Sequence, residues 1–158
     1  MSNENDGRND FDFLIGAWKV HHRSLKARLK GSTEWGEFSG EMTCRKILNG
    51  LGNLDENLIY WNTGPVQAIT LRLFNPSTKE WSIYWSTDRT GTLDVPMIGD
   101  FKDGTGLFYS QEIFEGRHIY SRFIWSKITA NSCQWEQAFS EDGGKAWETN
   151  WIMEFERV

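Results

Sequence analysis

Trp147-Glu148-Thr149-Asn150-Trp151-Ile152-Met153-Glu154-Phe155-Glu156 alternates large apolar or small residues with mostly polar ones, one for one. A period of two throws successive side chains to opposite faces of an extended chain, so this run predicts a half-buried strand. Working outward, Trp81, Ile83 and Trp85 alternate with Ser82, Tyr84 and Ser86, and Phe38, Gly40, Met42 and Cys44 alternate with Ser39, Glu41, Thr43 and Arg45. Turn chemistry punctuates the pattern at Gly31-Ser32-Thr33, Gly50 to Asn53, Asn62 to Pro65, Asn75 to Thr78, Asp88 to Pro96, Asp103-Gly104, Glu115-Gly116, Ala130 to Ser132 and Asp142-Gly143-Gly144. Nine breaks predict ten strands, over 17–30, 34–48, 53–61, 66–74, 80–87, 97–102, 106–114, 117–128, 133–140 and 146–157.

Long strands joined by short connections form a meander, and a meander of this size hides its edges by closing into a barrel. The chain ends carry matching charge: 17–30 holds Lys19, Arg23, Lys26, Arg28 and Lys30 and no acid, while the last strand holds Glu148, Glu154 and Glu156. In a closed meander these strands are neighbours and the charges face each other. Two segments carry other signals. Asp10 to Ile15 reads as a single helical turn, capped by Asp10 and plugging one end. In Leu25 to Lys30 the apolar phase shifts from Trp18/Val20/His22 to Leu25/Ala27/Leu29. A bulge near Ser24 in one long strand explains the shift, and a short helix is the alternative. The expected class is all-β: an antiparallel up-and-down barrel of about ten strands, with residues 1–9 a loose tail and 10–158 one domain.

Composition narrows the function. Nine tryptophans among 158 residues, 15% aromatics and 3 prolines exclude a disordered, collagenous or coiled-coil chain. A net charge of −5 argues against nucleic acid as the partner. Met1 to Asp10 has neither the basic nor the apolar region of a secretory signal, and the longest apolar stretch, Phe13 to Trp18, is too short to span a bilayer. Cys44 and Cys133 have no metal-type spacing and read as two reduced thiols. The expectation from these features is a cytoplasmic protein, away from membranes, with no metal and no cofactor.

Gly16-Ala17-Trp18, opening the first strand after a short turn, resembles the G-x-W start of lipocalins and related calycin barrels. The resemblance implies a lipocalin-like or fatty-acid-binding-protein-like barrel whose tryptophan sits at the closed end beneath an arginine of the last strand, here Arg157. Further stretches are similar to bacterial calycin-like proteins of the DUF1579 type: Phe11 to Gly16, Trp18 to Arg23, Gly50 to Asn53, Trp81 to Trp85, and Trp135 to Ser140 through Trp151. That likeness covers most of the chain and implies the fold, with no established activity. Ser140-Glu141-Asp142-Gly143-Gly144-Lys145-Ala146-Trp147 resembles the Asp-box hairpin of sialidases. One copy cannot build a propeller, so it reads as turn architecture.

If the tryptophan phase faces inward, the interior includes Trp18, Val20, His22, Phe38, Met42, Ile59, Trp61, Trp81, Ile83, Trp85, Phe101, Trp135, Gln137, Trp147, Thr149, Trp151 and Met153. Ten strands enclose more volume than side chains fill, and an apolar cavity with a few placed polar groups is the usual small-molecule site. Its polar candidates are His22, Thr70, Arg72, Tyr109, Arg122, Gln137 and Thr149. Each has a plain alternative. His22 reads equally as a satisfied core histidine, and Arg72 and Arg122 face either way, because both phases of their strands carry apolar residues.

The leading expectation is a binder of a flat or apolar small molecule with a polar or anionic end, contacting His22, Trp61, Arg72, Trp85, Tyr109, Arg122, Gln137 and Trp151. The alternative is a cofactor-independent isomerase, lyase or cyclase, with His22 as acid or base partnered by Glu136. A lesser one is a haem-binding barrel. Aromatics on both phases of several strands leave a homodimer open.

Overall fold

The computed structural model describes residues 5–158. All ten expected strands are present: β1 Gly16–Leu25, β2 Trp35–Ile47, β3 Gly52–Trp61, β4 Gly64–Asn75, β5 Glu80–Thr87, β6 Met97–Lys102, β7 Thr105–Phe114, β8 Arg117–Ser126, β9 Ser132–Ser140 and β10 Glu148–Arg157. Each pairs antiparallel with its sequence neighbours, and β1 pairs with β10, so the sheet is a closed barrel. The seam carries the expected charge match. Lys19 lies opposite Glu156, His21 opposite Glu154, and Arg23 Nη2 donates to Glu154 Oε1 at 3.0 Å.

One end is sealed by the chain's own N-terminal segment. A 3-10 turn at Asp12–Leu14 follows Phe11, and Phe11 and Leu14 are fully buried. Phe11 packs edge-on against Trp81, Phe101 and Trp125. This is the expected plug, but Asp10 does not cap it: the cap position is Phe11, with no side-chain hydrogen bond. Packing also reaches back beyond the predicted boundary at residue 10, since Gly7 O accepts from Trp81 Nε1 at 3.0 Å. Of the predicted tail, residues 1–4 lie outside the described residues.

Trp18 and Arg157 hold the positions that the G-x-W resemblance implies. Trp18 Nε1 donates to Leu14 O at 2.9 Å, and the Arg157 guanidinium lies 4.2 Å from the indole. Arg157 also donates to Ile15 O and Phe13 O at 2.7 Å and to Ala130 O at 3.0 Å, tying the plug to the last strand. Gly16 is required here. Its φ is +127°, and a Cβ would stand 2.5 Å from Arg157 Nη1.

Residues 26–30 depart from the prediction. β1 ends at Leu25, still in register opposite Trp35, and no bulge forms near Ser24. The apolar phase shift marks a loop instead, in which Leu29 takes a φ of +59°. The bulge lies across the seam in β10, between Thr149 and Trp151. It breaks the alternation of the closing stretch, so Trp151, Met153 and Phe155 keep the inward phase and Trp147 and Thr149 lose it.

The other end carries the loops 26–34, 62–63, 88–96, 115–116 and 141–147. Here the wall is incomplete. β6 is short, and β5 pairs with it only through Trp81, Ser82 and Ile83. β7 likewise pairs with β6 only as far as Tyr109, and beyond these points neither has a strand partner on that side among the described residues; only the 88–96 loop reaches across, the Asp94 amide donating to Trp85 O at 2.9 Å.

Candidate functional site

Towards the sealed end the interior is solid with Trp18, Trp81, Phe108 and their neighbours. Towards the open end the side chains leave a cavity of about 260 Å³. Trp85, Trp125, Trp135 and Trp151 line it, together with Met42, Ile83, Met97, Phe123, Phe139 and Met153. An apolar cavity of ~150 Å³ already holds benzene, so this one has room for a substituted ring. It is slightly below the ~300–1,000 Å³ typical of sites for drug-sized ligands.

The cavity floor is polar. Arg72 faces inward, and Asp55 meets its charge, with Nη2 2.7 Å from Oδ2. Arg72 Nη1 donates to Asn53 Oδ1 at 2.9 Å, while Asn57 Nδ2 and the Thr70 amide donate to Asp55 Oδ1 at 2.6 and 3.0 Å. The guanidinium carbon also lies 5.2 Å from the Phe11 ring and 5.5 Å from the Trp125 ring, where the π-faces add attraction. A buried cation is costly unless paired, and this one is paired by the protein itself. Thr70 lines the floor beside it, as expected of the inward phase.

The mouth carries separate charges. Arg28 lines the cavity from the 26–34 loop, its guanidinium carbon 5.6 Å from the Phe139 ring and 5.9 Å from the Trp151 ring. Burial lowers its pKa, and Glu148 partly counters that. Asp94 and Glu112 line the cavity from the 88–96 loop and from β7. Burial raises both carboxyls; at Glu112 the nearby Ser110 hydroxyl offsets part of the rise and the Asp94 charge adds to it.

Of the eight expected contact residues, four line the cavity: Arg72, Trp85, Gln137 and Trp151. Two lie just behind its wall. His22 is fully buried, stacked on Phe38 with centroids 5.0 Å apart, and its Nδ1 accepts from Trp151 Nε1 at 3.1 Å. Trp61 packs on Phe38 and Trp151. Burial, and secondarily His21, hold His22 at a pKa of about 4, so it is neutral at pH 7. Its Nε2 is sealed against Gly40, where a Cβ would stand 2.8 Å away.

The other two, Tyr109 and Arg122, belong to the outer face. Tyr109 alternates with fully buried Phe108 and is 44% exposed. Arg122 alternates with Phe123, a cavity residue, and stacks 4.4 Å over Trp147. Trp147 was expected inside; the β10 bulge places it on the outer wall, near Tyr109. It packs there through the Asp-box hairpin, where Asp142 Oδ1 accepts from Ser140 Oγ and the Lys145 and Ala146 amides, and Trp147 Nε1 donates to Gly144 O. Glu136 is outward too, since its neighbours Trp135 and Gln137 line the cavity. His22 and Glu136 therefore lie on opposite sides of the wall and form no acid–base pair. Among the described residues no histidine lines the cavity: His21 and His118 are exposed and His22 is sealed off.

Sequence reasoning missed Arg28, Asn53, Asp55, Asn57, Asp94 and Glu112. Asn53-x-Asp55-x-Asn57 carried a usable signal, because it shares a phase with Ile59 and Trp61. Arg28 and Asp94 sit in loops, where period-two reasoning has no grip.

The barrel is lipocalin-like. The S-type phycobiliprotein lyase CPES from Guillardia theta superposes with a TM-score of 0.61 over 100% of this chain and 98% of its own, at 10% identity. Rv2717c from M. tuberculosis gives 0.60 over 94% and 97%, at 8% identity. EF1p2_mFAP2b, solved bound to DFHBI, gives 0.51 over 96% and 99%, at 9% identity. At such identities the likeness is one of fold. No protein-family model matches the chain, and no curated protein matches it in sequence. No helix among the described residues is long and apolar enough to cross a membrane.

Proposed function

We propose that this protein binds a small, flat, largely apolar molecule with a polar or anionic end inside the barrel. The supporting observation is the cavity itself: about 260 Å³, walled by four tryptophans and floored by an internally neutralised Arg72–Asp55 pair. Indole walls give large contact area at low entropic cost and stack well on flat guests. The neighbour EF1p2_mFAP2b, which holds DFHBI, supports ligand binding as a use of this barrel shape. The sequence likeness to DUF1579-type proteins belongs to the same reading, and the free, buried thiols Cys44 and Cys133 support a reducing compartment such as the cytoplasm.

Native mass spectrometry of freshly purified protein, followed by titration with ring-sized aromatic carboxylates, tests the reading. The expected result is an adduct of fixed mass released on denaturation, or saturable quenching of the tryptophan fluorescence. Protein that carries no adduct, and that no such compound quenches, overturns it.

A further inference from the structure

Two oppositely charged groups face the cavity from its mouth, and neither is neutralised by the other. Arg28 is held there by a specific device. Glu148 is the carboxylate that acts on it, yet Glu148 Oε1 accepts the backbone N–H of Leu29 at 2.7 Å instead of the guanidinium. That bond pins the loop with Leu29 in the left-handed region, a conformation a γ-branched residue adopts only when its surroundings impose it. The pinned loop directs Arg28 over Trp151 and Phe139. Its one side-chain hydrogen bond is a long one, 3.4 Å from Nη2 to Ser24 Oγ, and no carboxylate among the described residues pairs with it. Arg72, by contrast, is already neutralised by Asp55. The anionic end of a guest therefore has its partner at Arg28.

The acidic pole is Glu112 and Asp94. Glu112 stands in the inward phase of β7, beyond the last residue that pairs with β6, so it faces the interior where the wall is incomplete. Asp94 comes from the loop that covers that gap, its amide donating to Trp85 O at 2.9 Å. Glu112 is half-buried and Asp94 is exposed at the rim of the same cavity, and two carboxylates that raise the cost of each other's charge favour a cation or an N–H donor between them.

We infer that the cavity selects a single-ring or similarly small planar molecule with a carboxylate at one end, held by Arg28, and a basic nitrogen or N–H donor at the other, held by Glu112 and Asp94. This rests on the ligand-binding reading above and adds the chemical class of the guest. Hydrogen bonds to charged groups in a partly dry site are worth enough that each end should matter by about tenfold in affinity.

Four compounds of one shape separate the terms: 4-(aminomethyl)benzoate, 4-methylbenzoate, 4-methylbenzylamine and p-xylene, titrated against the full chain and followed by tryptophan fluorescence and calorimetry. The first should bind most tightly, the two singly charged compounds about tenfold more weakly, and p-xylene weakest. Arg28→Gln should remove the advantage of the two carboxylates and leave p-xylene and 4-methylbenzylamine unchanged. Glu112→Gln should act on the two amines alone. Unchanged p-xylene binding in each variant verifies that its cavity is intact, and a variant that fails to fold is replaced by Arg28→Met or Asp94→Asn, each of which also removes the charge and is read in the same way. If p-xylene binds as well as 4-(aminomethyl)benzoate, or the variants leave the order unchanged, the two-pole inference is overturned while ligand binding stands. If none of the four binds, the two-pole inference is overturned, and the ligand-binding reading falls with it only when native mass spectrometry also finds no adduct.

Discussion

Asp55 and Arg72 are the most heavily committed charged residues in the molecule, both almost wholly buried and 2.7 Å apart. Removing one leaves the other charged, unpaired and out of water. Asp55→Ala should therefore destabilise the fold by about 3–5 kcal/mol, whereas Asp55→Leu combined with Arg72→Met should cost far less. Urea denaturation of the three proteins checks this, and equal losses in the single and double variants would contradict it. His22 gives a pH prediction. Its folded pKa of about 4 lies below the ordinary 6.5, so the unfolded chain takes up the proton first as pH falls. Its contribution is complete above about pH 6.5 and is lost as pH drops towards 4, by up to roughly 3 kcal/mol. Raised Glu112 and Asp94 carry the opposite sign, but wild type and a His22→Phe variant share them. The variant's stability should fall less between pH 7.5 and 4.5. Parallel losses would show that His22 does not titrate as its burial requires.

At the scale of elements, the strands were legible because each is a run of period-two hydrophobicity ended by Gly, Pro, Asn or Asp. The errors have local causes. A bulge inverts the phase of everything before it, and nothing in Thr149-Asn150-Trp151 announces one, so Trp147 was assigned to the wrong face. Tyr109 and Phe108 are both aromatic, and only the curvature of the closed sheet decides which points inward. Arg28 was assigned to a strand because Leu25, Ala27 and Leu29 imitate alternation. The plug was legible in outline, and its fastening can be tested. Arg157 donates to three carbonyls and covers Trp18. Arg157→Lys keeps the charge but loses the planar fork, and should lower stability by about 2–3 kcal/mol, measured by thermal unfolding. A change below about 0.5 kcal/mol would mean the plug is held by packing alone.

For the whole molecule, closure sets the kinetics. Arg23 and Glu154, 131 residues apart, meet only when β1 and β10 join. Such long-range pairing is slow to form, so refolding after denaturant dilution should take milliseconds to seconds, and a microsecond phase that restores all the native signal would contradict a closure-limited route. The short β6 has its own consequence. A barrel interrupted on one flank is mechanically a split ring, stiff everywhere except beside the slit. Deuterium should therefore invade the amides of 84–87 and 111–114 before those of β1, β9 and β10, and a captured guest should slow that invasion most at the slit. Uniform labelling around the ring would describe a rigid hoop instead. Traffic into this protein would on this geometry pass sideways through a parting of the staves, with the plugged base never needing to stir.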